Sequence, residues 1–417
     1  MKVNETGPGH WVPKQHILKE ERDEMAKPLS VAVIGAGMAG ATHANAWRQA
    51  TTVFDTNLPP VRLATIADAY LPFAQDAAKR YGYEKATENW RDILDDPSID
   101  VVSIVVGNAL HREMAEALVK AGKHVLCEKP LTDKIEDAKA LAELEKSASV
   151  QTGTAFGYRW SPSIAKAAEL AKEGRFGKLV NFTGTYLCDY GCDRNAPLAW
   201  RYTGPMGSGA LGDVGSHLLN TAELVCGKIK AVSGAGFATV IKERPIVAGA
   251  QALQRGKKVQ SAQMGPVTND DVAVFTASFE SGVVGSFTCS RVALGHPNSQ
   301  RFEVYGTDGF AAFDMARAGE LVVQTRSDDP DIAGPRVVLA NPDFPYFRAG
   351  SSMAFGGVGV TQIDQFIYQA HAFLGQVAGV DTGLPAVPSF EAGSRAMRIQ
   401  EAIVRSANDG GAEVTIR

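Results

Sequence analysis

"SVAVIGAGMAGATHANAW" (30–47) opens as a run of small and β-branched residues, turns through three glycines, and continues into a proline-free, alanine-rich stretch. The opening run shows no polar alternation, which suits a strand buried on both faces of a parallel sheet. Gly35, Gly37 and Gly40 spell G-x-G-x-x-G between that strand and the helix after it. The first glycine permits the tight turn and the second lets the backbone approach a pyrophosphate. The third lets helix and strand pack closely, with the anion at the helix N-terminus. Gly35, Gly37, Met38, Ala39 and Gly40 are therefore the candidate dinucleotide-phosphate loop.

The same pattern repeats outward. "VRLATIAD" (61–68), "DVVSIVVG" (100–107), "KHVLCEK" (123–129) and "VQTGTAFG" (150–157) read as further buried strands, with "PFAQDAAKRYG", "HREMAEALVKAG" and "IEDAKALAELEKSA" as helices between them. Repeated strand–helix–strand units imply right-handed crossovers and a doubly wound parallel sheet. Asp68 closes the second strand, where an acidic residue accepts hydrogen bonds from the adenosine ribose. It lies further along the chain than usual, and "TTVFDTNLPP" (51–60) reads as the loop insertion responsible. Ala69 and Tyr70 follow, with no arginine for a 2′-phosphate, so NAD is expected rather than NADP.

The pattern changes near residue 158. A helix, "SPSIAKAAELAKEG" (161–174), precedes long alternating strands such as "KLVNFTGTYL", "AVSGAGFATVI" and "QRFEVYGTDGFAAFDM". "FESGVVGSF" reads as a hairpin. Two late helices, 361–378 and 390–408, precede a short final strand. The expected architecture is an α/β chain with three parts: an N-terminal arm (1–28), a Rossmann domain (29–157) and an α+β domain (158–417). The last should carry an open, mainly antiparallel sheet covered on one face by helices.

Two short segments point to chemistry. "CEKPLT" (127–132) puts Glu128 and Lys129 at the carboxyl end of a parallel strand, where open α/β sheets bind ligands. A lysine there can bind a nicotinamide ribose and a substrate hydroxyl, and its charge favours a developing alkoxide. "LGDVGSHLLN" (211–220) puts Asp213 and His217 four apart, on one face if the segment is helical. An imidazole titrates near neutral pH and suits removal of a hydroxyl proton as hydride leaves; taken alone, the pair is better read as a helix cap and a packed ring.

Taken together, "VIGAGMAGATHANA", "LHREMAEALVKAGKHVLCEKPL" and "GSGALGDVGSHLLN" resemble the Gfo/Idh/MocA oxidoreductases, the family of glucose-fructose oxidoreductase and inositol dehydrogenase. The resemblance runs from about residue 29 to the C-terminus. It implies a Rossmann domain, an α/β domain whose sheet mediates oligomers, and the catalytic set Lys129, Asp213 and His217, with His217 as general base. It also matches His43 to a histidine common after the glycine loop, and Asn108, His111 and Glu128 to cofactor-side positions, although "VVGNALH" departs from the family's frequent T-P-x-x-x-H.

"FGYRWSPS" (156–163) carries Gly157 where members commonly have asparagine, and offers Tyr158, Arg159 and Trp160 to the cleft. Aromatic faces stack on sugar rings, and arginine binds hydroxyls or an anionic substituent. The loop "YLCDYGCDRNAPLAWRY" (186–202) adds Asp189, Arg194 and Arg201, and "GHPNSQRFEVYG" (295–306) adds His296 and Asn298. The "PLAWR" ending resembles members that oxidise the C3 hydroxyl of a pyranoside, the levoglucosan dehydrogenases among them. The expected function is an NAD-dependent dehydrogenase acting on a ring hydroxyl of a sugar or polyol. The alternative is a redox-neutral, NAD-dependent glycosidase, with transient C3 oxidation, elimination, water addition and re-reduction, on a glycoside that is anionic or sulfonated. A non-enzymatic NAD-binding regulator is a third reading, disfavoured by Lys129, Asp213 and His217 occurring together.

Composition excludes other classes. Of 417 residues, 45% are hydrophobic and 21% charged, an ordinary globular mix. A formal net charge of −4 gives no reason to expect nucleic acid or an anionic membrane as partner. Five cysteines at irregular spacing, with one C-x-x-x-C and no completing ligands, fit no zinc pattern, so no metal is expected. No apolar run is long enough to span a membrane, and the first 28 residues lack the apolar core of a signal peptide. A cytoplasmic homodimer or homotetramer acting on a small carbohydrate is the expectation.

Overall fold

The computed structural model describes residues 27–54, 57–247, 263–326, 329, 331, 333–347 and 355–417. The arm expected over 1–28 lies outside them except for its last two residues. Strands β1 (Leu29–Ile34), β2 (Val61–Ala67), β3 (Lys85–Thr87), β4 (Val101–Ile104), β5 (His124–Glu128) and β6 (Thr152–Ala155) form a parallel sheet. Their order is β3-β2-β1-β4-β5-β6, the doubly wound arrangement whose switch point lies between β1 and β4. The crossovers carry α1 (Met38–Gln49), α2 (Leu71–Tyr81), α3 (Arg91–Asp95), α4 (His111–Lys120) and α5 (Ile135–Ser147).

The apolar opening run has a direct cause. Val31 and Val33 enter a core shared with Trp47, Val101 and Leu126, while Ala32 and Ile34 enter the opposite one with Val102, Met114 and Leu118. Both faces of β1 are covered, so neither tolerates a polar residue. The short edge strand β3 has no such run and was not among the expected strands.

The rest of the chain begins with α6 (Pro162–Lys172), β7 (Leu179–Leu187), α7 (Ser216–Cys226) and β8 (Ile229–Ala238). A two-stranded ribbon follows, β9 (Glu243–Pro245) with β10 (Met264–Pro266). Then come β11 (Val272–Phe279), β12 (Val284–Ser290), β13 (Ser299–Gly306), β14 (Gly309–Asp314), β15 (Glu320–Thr325), β16 (Arg336–Leu339), α8 (Gln362–Ala378), α9 (Phe390–Asn408) and β17 (Val414–Thr415). The large sheet runs β16-β15-β14-β13-β7-β12-β11-β8-β17. Its pairs are antiparallel except β7 with β12, which run parallel at its centre. The expected hairpin 279–287 is β11–β12. The ribbon and strands β15 and β16 were not anticipated.

One face of this sheet is a phenylalanine layer. Phe275 and Phe287 stack at 4.8 Å, and Phe182 stacks on Phe287 and Phe302 at 5.5 Å. Leu218 and Leu219 of α7 and Ile164 of α6 close that core. The opposite face leaves Val274, Val284 and Tyr305 exposed. Helices α8 and α9 pack back onto the Rossmann half: Ile367, Phe373 and Leu374 share a core with Trp47, and Phe390 shares one with Leu141. The Glu145 carboxylate of α5 accepts from the Phe390 and Glu391 amides at 2.9 and 3.0 Å, holding the start of α9. The two halves are therefore joined by shared cores as well as by the chain.

Candidate active site

The glycine loop is shaped by its neighbours. Gly35 has φ +102°, and a Cβ there would lie 2.0 Å from the Val105 carbonyl oxygen. A Cβ on Gly40 would lie 1.8 Å from the Gly35 carbonyl oxygen, so helix and turn touch backbone to backbone. At Gly37 a Cβ would meet nothing within 4 Å, and Gly37 and Met38 are exposed. The first turn of α1 carries no acidic residue and no side-chain cap, so its amides face open space, as a bound pyrophosphate requires. Asp68 sits against this loop: its Oδ2 accepts from the Ala36 amide at 2.7 Å and its Oδ1 from Tyr70 at 2.9 Å. Each oxygen keeps a lone pair for a ribose hydroxyl. These residues fit NAD.

On the opposite side of the switch point, Asn108 opens a short 3₁₀ turn (Asn108–Leu110) beyond β4 and is half-buried. His111 is fully buried, with Nδ1 3.2 Å from the Pro130 and Leu131 carbonyls and Nε2 3.2 Å from that of Val106. It pins the loop after β4 to the turn after β5, and burial pushes its pKa down. Placing His111 directly on the cofactor is thereby corrected, because both ring nitrogens face backbone. Glu128 is similarly engaged: Oε2 accepts from the Lys129 amide at 3.0 Å, and Oε1 lies 3.1 Å from His43 Nε2. Trp47 Nε1 donates to Ser103 Oγ, which lies 3.1 Å from His43 Nδ1. A carboxylate only accepts, so His43 donates from Nε2 to Glu128.

Lys129 leaves β5 pointing across to the second half of the chain. Its Nζ donates to the Asp213 carbonyl oxygen at 2.7 Å and lies 3.4 Å from Asp213 Oδ1. Asp213 does not lie on a plain α-helix: Leu211–Gly215 form a π-helical turn, and α7 begins at Ser216. Such turns recur at functional sites. The approach to this turn is fixed by the buried Asp270, whose carboxylate accepts from the amides of Gly207, Gly209 and Leu211 at 2.8–2.9 Å.

Around the pair stand three tyrosines. Tyr190 donates to Asp213 Oδ2 at 2.6 Å. The Tyr158 ring meets His217 edge-on at 4.2 Å, and Tyr186 lies 6.1 Å from it. Tyr186 in turn donates to Asn298 Oδ1 at 2.9 Å. Burial alone would raise the Asp213 carboxyl, but the charges of Lys129 and Arg201, the Tyr190 hydroxyl and His217 outweigh it. The net effect holds Asp213 far below the usual carboxylate range. Burial, then the Lys129 charge, hold His217 well below the ordinary histidine value, against the pull of Asp213. The site thus sets Lys129 and the Asp213 carboxylate beside an imidazole that burial keeps neutral, whose buried Nδ1 has no partner among the described residues. That set can take a proton from a hydroxyl and stabilise the oxyanion left behind.

The remaining candidates divide. Arg201 stacks over Trp200 at 4.3 Å, and its charge acts on Asp213. Arg159 is half-buried, its Nε unpartnered among the described residues, and desolvation lowers its pKa. Trp160 is corrected: at 0% exposure it belongs to the core beneath, 5.5 Å from Tyr346, and cannot face a ligand. Asp189 and His296 are half-buried, and Arg194 is exposed along the loop. Tyr186, Tyr190, Asp270, Arg244 and Arg291 were not singled out from sequence. The adjacent acids of "TNDDVAV" just before a strand were the one available signal.

Among the described residues no group of His, Cys, Asp and Glu could hold a metal ion, and no helix is long and apolar enough to cross a membrane. The family model "Oxidoreductase family, NAD-binding Rossmann fold" of Gfo/Idh/MocA matches residues 29–156, and the Gfo/Idh/MocA C-terminal domain model matches 164–312. Levoglucosan dehydrogenase of Pseudarthrobacter phenanthrenivorans is 38% identical over 382 residues, covering 91% of this chain and 96% of the relative. scyllo-Inositol 2-dehydrogenase (NAD+) of Bacillus subtilis is 30% identical over 68% of this chain and 73% of its own. A solved structure of levoglucosan dehydrogenase in complex with NADH and levoglucosan superposes with TM-score 0.85 at 35% identity, covering 94% of this chain and 100% of that one.

Proposed function

The chain belongs to the Gfo/Idh/MocA oxidoreductase family, and from that premise we propose that it oxidises a ring hydroxyl of a sugar or sugar-like polyol, at C3 of a pyranose ring, with His217 as base. The observation that carries this reading is the meeting of Lys129, Asp213 and a neutral His217 at the carboxyl end of the NAD-binding sheet. Bound NAD supplies the hydride acceptor. His217 takes the hydroxyl proton on an imidazole that burial keeps neutral and ready to accept. Lys129 offers its ammonium to the oxygen as negative charge develops, and Asp213 stabilises the imidazolium that results. Tyr158, edge-on to His217, supplies an apolar wall against which a sugar face can lie. The dehydrogenases of levoglucosan and scyllo-inositol among the relatives support a carbohydrate substrate.

The redox-neutral glycosidase route needs a second base for the C2 proton. Burial pushes both Tyr186 and Tyr190 well above the ordinary tyrosine range, so neither is a phenolate at neutral pH. This disfavours these two tyrosines as that base. The exposed Val274, Val284 and Tyr305 support self-association through the open sheet face as a dimer or tetramer, and a monomer in light scattering would refute that. Arg159 and Arg201 leave an anionic sugar as a candidate, and equal activity on neutral and anionic glycosides would remove it.

The test is one assay with two readouts. Enzyme and NAD are given free sugars, inositols, anhydrosugars and nitrophenyl glycosides, with NADH absorbance and aglycone release followed together. NADH accumulating on a free or anhydro sugar is the expected result. Aglycone release without NADH would replace the dehydrogenase by the glycosidase.

A further inference from the structure

We propose that Tyr190 is a positioning residue of the proton-transfer site, acting on the substrate only through Asp213; the role rests on the dehydrogenase reading. Its hydroxyl holds Oδ2 of the carboxylate at 2.6 Å, while Lys129 approaches Oδ1 at 3.4 Å. The two oxygens are thus held by partners from different halves of the molecule. Rotating the carboxylate would break both contacts.

The backbone beside Tyr190 is fixed to match. The Gly191 amide donates to the Arg291 carbonyl at 2.8 Å, and the Gly191 carbonyl accepts from the Arg244 guanidinium at 2.6 Å. Arg244 also holds the Asp193 carbonyl at 2.7 Å. Arg244 and Arg291 are both fully buried and lie over the Tyr202 ring at 3.8 and 4.7 Å. Arg291 is further tied to Asp271 at 2.8 Å and donates to the Arg201 carbonyl at 2.6 Å. Both ends of the loop are therefore anchored to one buried stack, and between them Tyr190 reaches Asp213. Two consequences follow: the hydroxyl sets the direction in which the carboxylate presents Oδ1, and it takes up part of the negative charge that would otherwise act on His217.

The groups facing His217 are Asp213 from the π-turn, Lys129 from the end of β5, Tyr158 from the segment after β6 and Tyr186 from β7; Tyr190 and Arg201 reach it through Asp213. Tyr190→Phe removes one of these groups' hydroxyl and keeps the ring. In the wild-type background it should lower kcat about tenfold, as expected for one charge-assisted hydrogen bond. In an Asp213→Ala background it should change kcat less than about twofold, because the accepting oxygen is gone. Equal losses in both backgrounds, or none in the first, would overturn the proposal. A second readout needs no turnover: in protein labelled with ¹⁵N-histidine, the His217 resonance, identified by its loss in His217→Asn, should titrate at higher pH in Tyr190→Phe. An unmoved titration overturns the proposal. A wild-type protein that binds NADH but oxidises no sugar removes the dehydrogenase reading, and the histidine titration then decides the Tyr190 contact by itself.

Discussion

Lys129 and Asp213 meet across the junction of the two sheets, with Nζ 2.7 Å from the Asp213 carbonyl oxygen and 3.4 Å from its carboxylate. One residue comes from the turn after β5 in the dinucleotide-binding half, the other from the π-turn that precedes α7. The side chains are 12% and 29% exposed, so the contact is sheltered while still reachable from the cleft. A charge placed there acts on everything around it.

Replacing Lys129 by Met should therefore do two things. The rate should fall by about 10²–10³, the usual effect of removing a donor from a developing oxyanion. The acid limb of kcat/KM should also move to higher pH, because the lysine charge is one of the causes depressing His217. Lys129→Arg keeps the charge but not the point geometry, and should restore the limb without restoring the rate. Profiles of kcat/KM against pH for the three proteins check both parts.

His217→Asn tests the base itself. Loss of general-base catalysis typically costs at least about 10²-fold in kcat, and NADH affinity should stay within about twofold since His217 lies on the substrate side. A kcat loss of less than tenfold would refute the assignment. Fluorescence titration with NADH provides the binding arm.

The glycines of the first loop separate folding from binding. Gly40→Ala forces a Cβ to within 1.8 Å of a backbone oxygen and should lower Tm strongly or prevent folding. Gly37→Ala meets nothing in the protein, so Tm should be almost unchanged while NADH affinity falls, because the added methyl projects from the loop into the space the phosphates need. Paired measurements of Tm and NADH Kd distinguish the two. If Gly37→Ala binds NADH as well as the wild type does, the loop assignment fails.

Where the sequence was informative, a local rule coincided with the fold. Val31 to Ile34 had to be apolar because both faces of β1 are covered, and the glycines had to follow because backbone touches backbone there. Lys129, Asp213 and His217 were legible because each sits in a short motif. Tyr190 was not: one tyrosine in a polar loop has no periodicity, and its importance depends on a contact across 23 positions of chain. Trp160 misled for the related reason that an aromatic beside a cleft-facing residue can turn either way, and this one turned into the core. The parallel pairing of β7 with β12 was hidden because alternation reports burial of one face and says nothing of strand direction.

Burial of histidines gives the protein a direction of acid sensitivity. His111, His124, His217 and His371 all have pKa values lowered first by desolvation. In the unfolded chain each would take a proton near pH 6.5, about the unperturbed histidine value. Between the depressed folded values and that point, the unfolded state binds more protons than the folded one, so stability rises with pH. It should be flat above about pH 7 and fall as the pH drops through about 6.5. The depressed carboxyl of Asp213 acts with the same sign at lower pH, below about 4. Urea midpoints from pH 5 to 8.5 check the profile. His371→Gln, which removes a ring whose Nδ1 is 2.5 Å from the Ala50 carbonyl and whose Nε2 has no partner among the described residues, should reduce the slope between pH 5 and 6.5. A midpoint higher at pH 5.5 than at 7.5 would show that the buried rings are charged in the folded protein, and with that His217 would lose its claim to be a resting base.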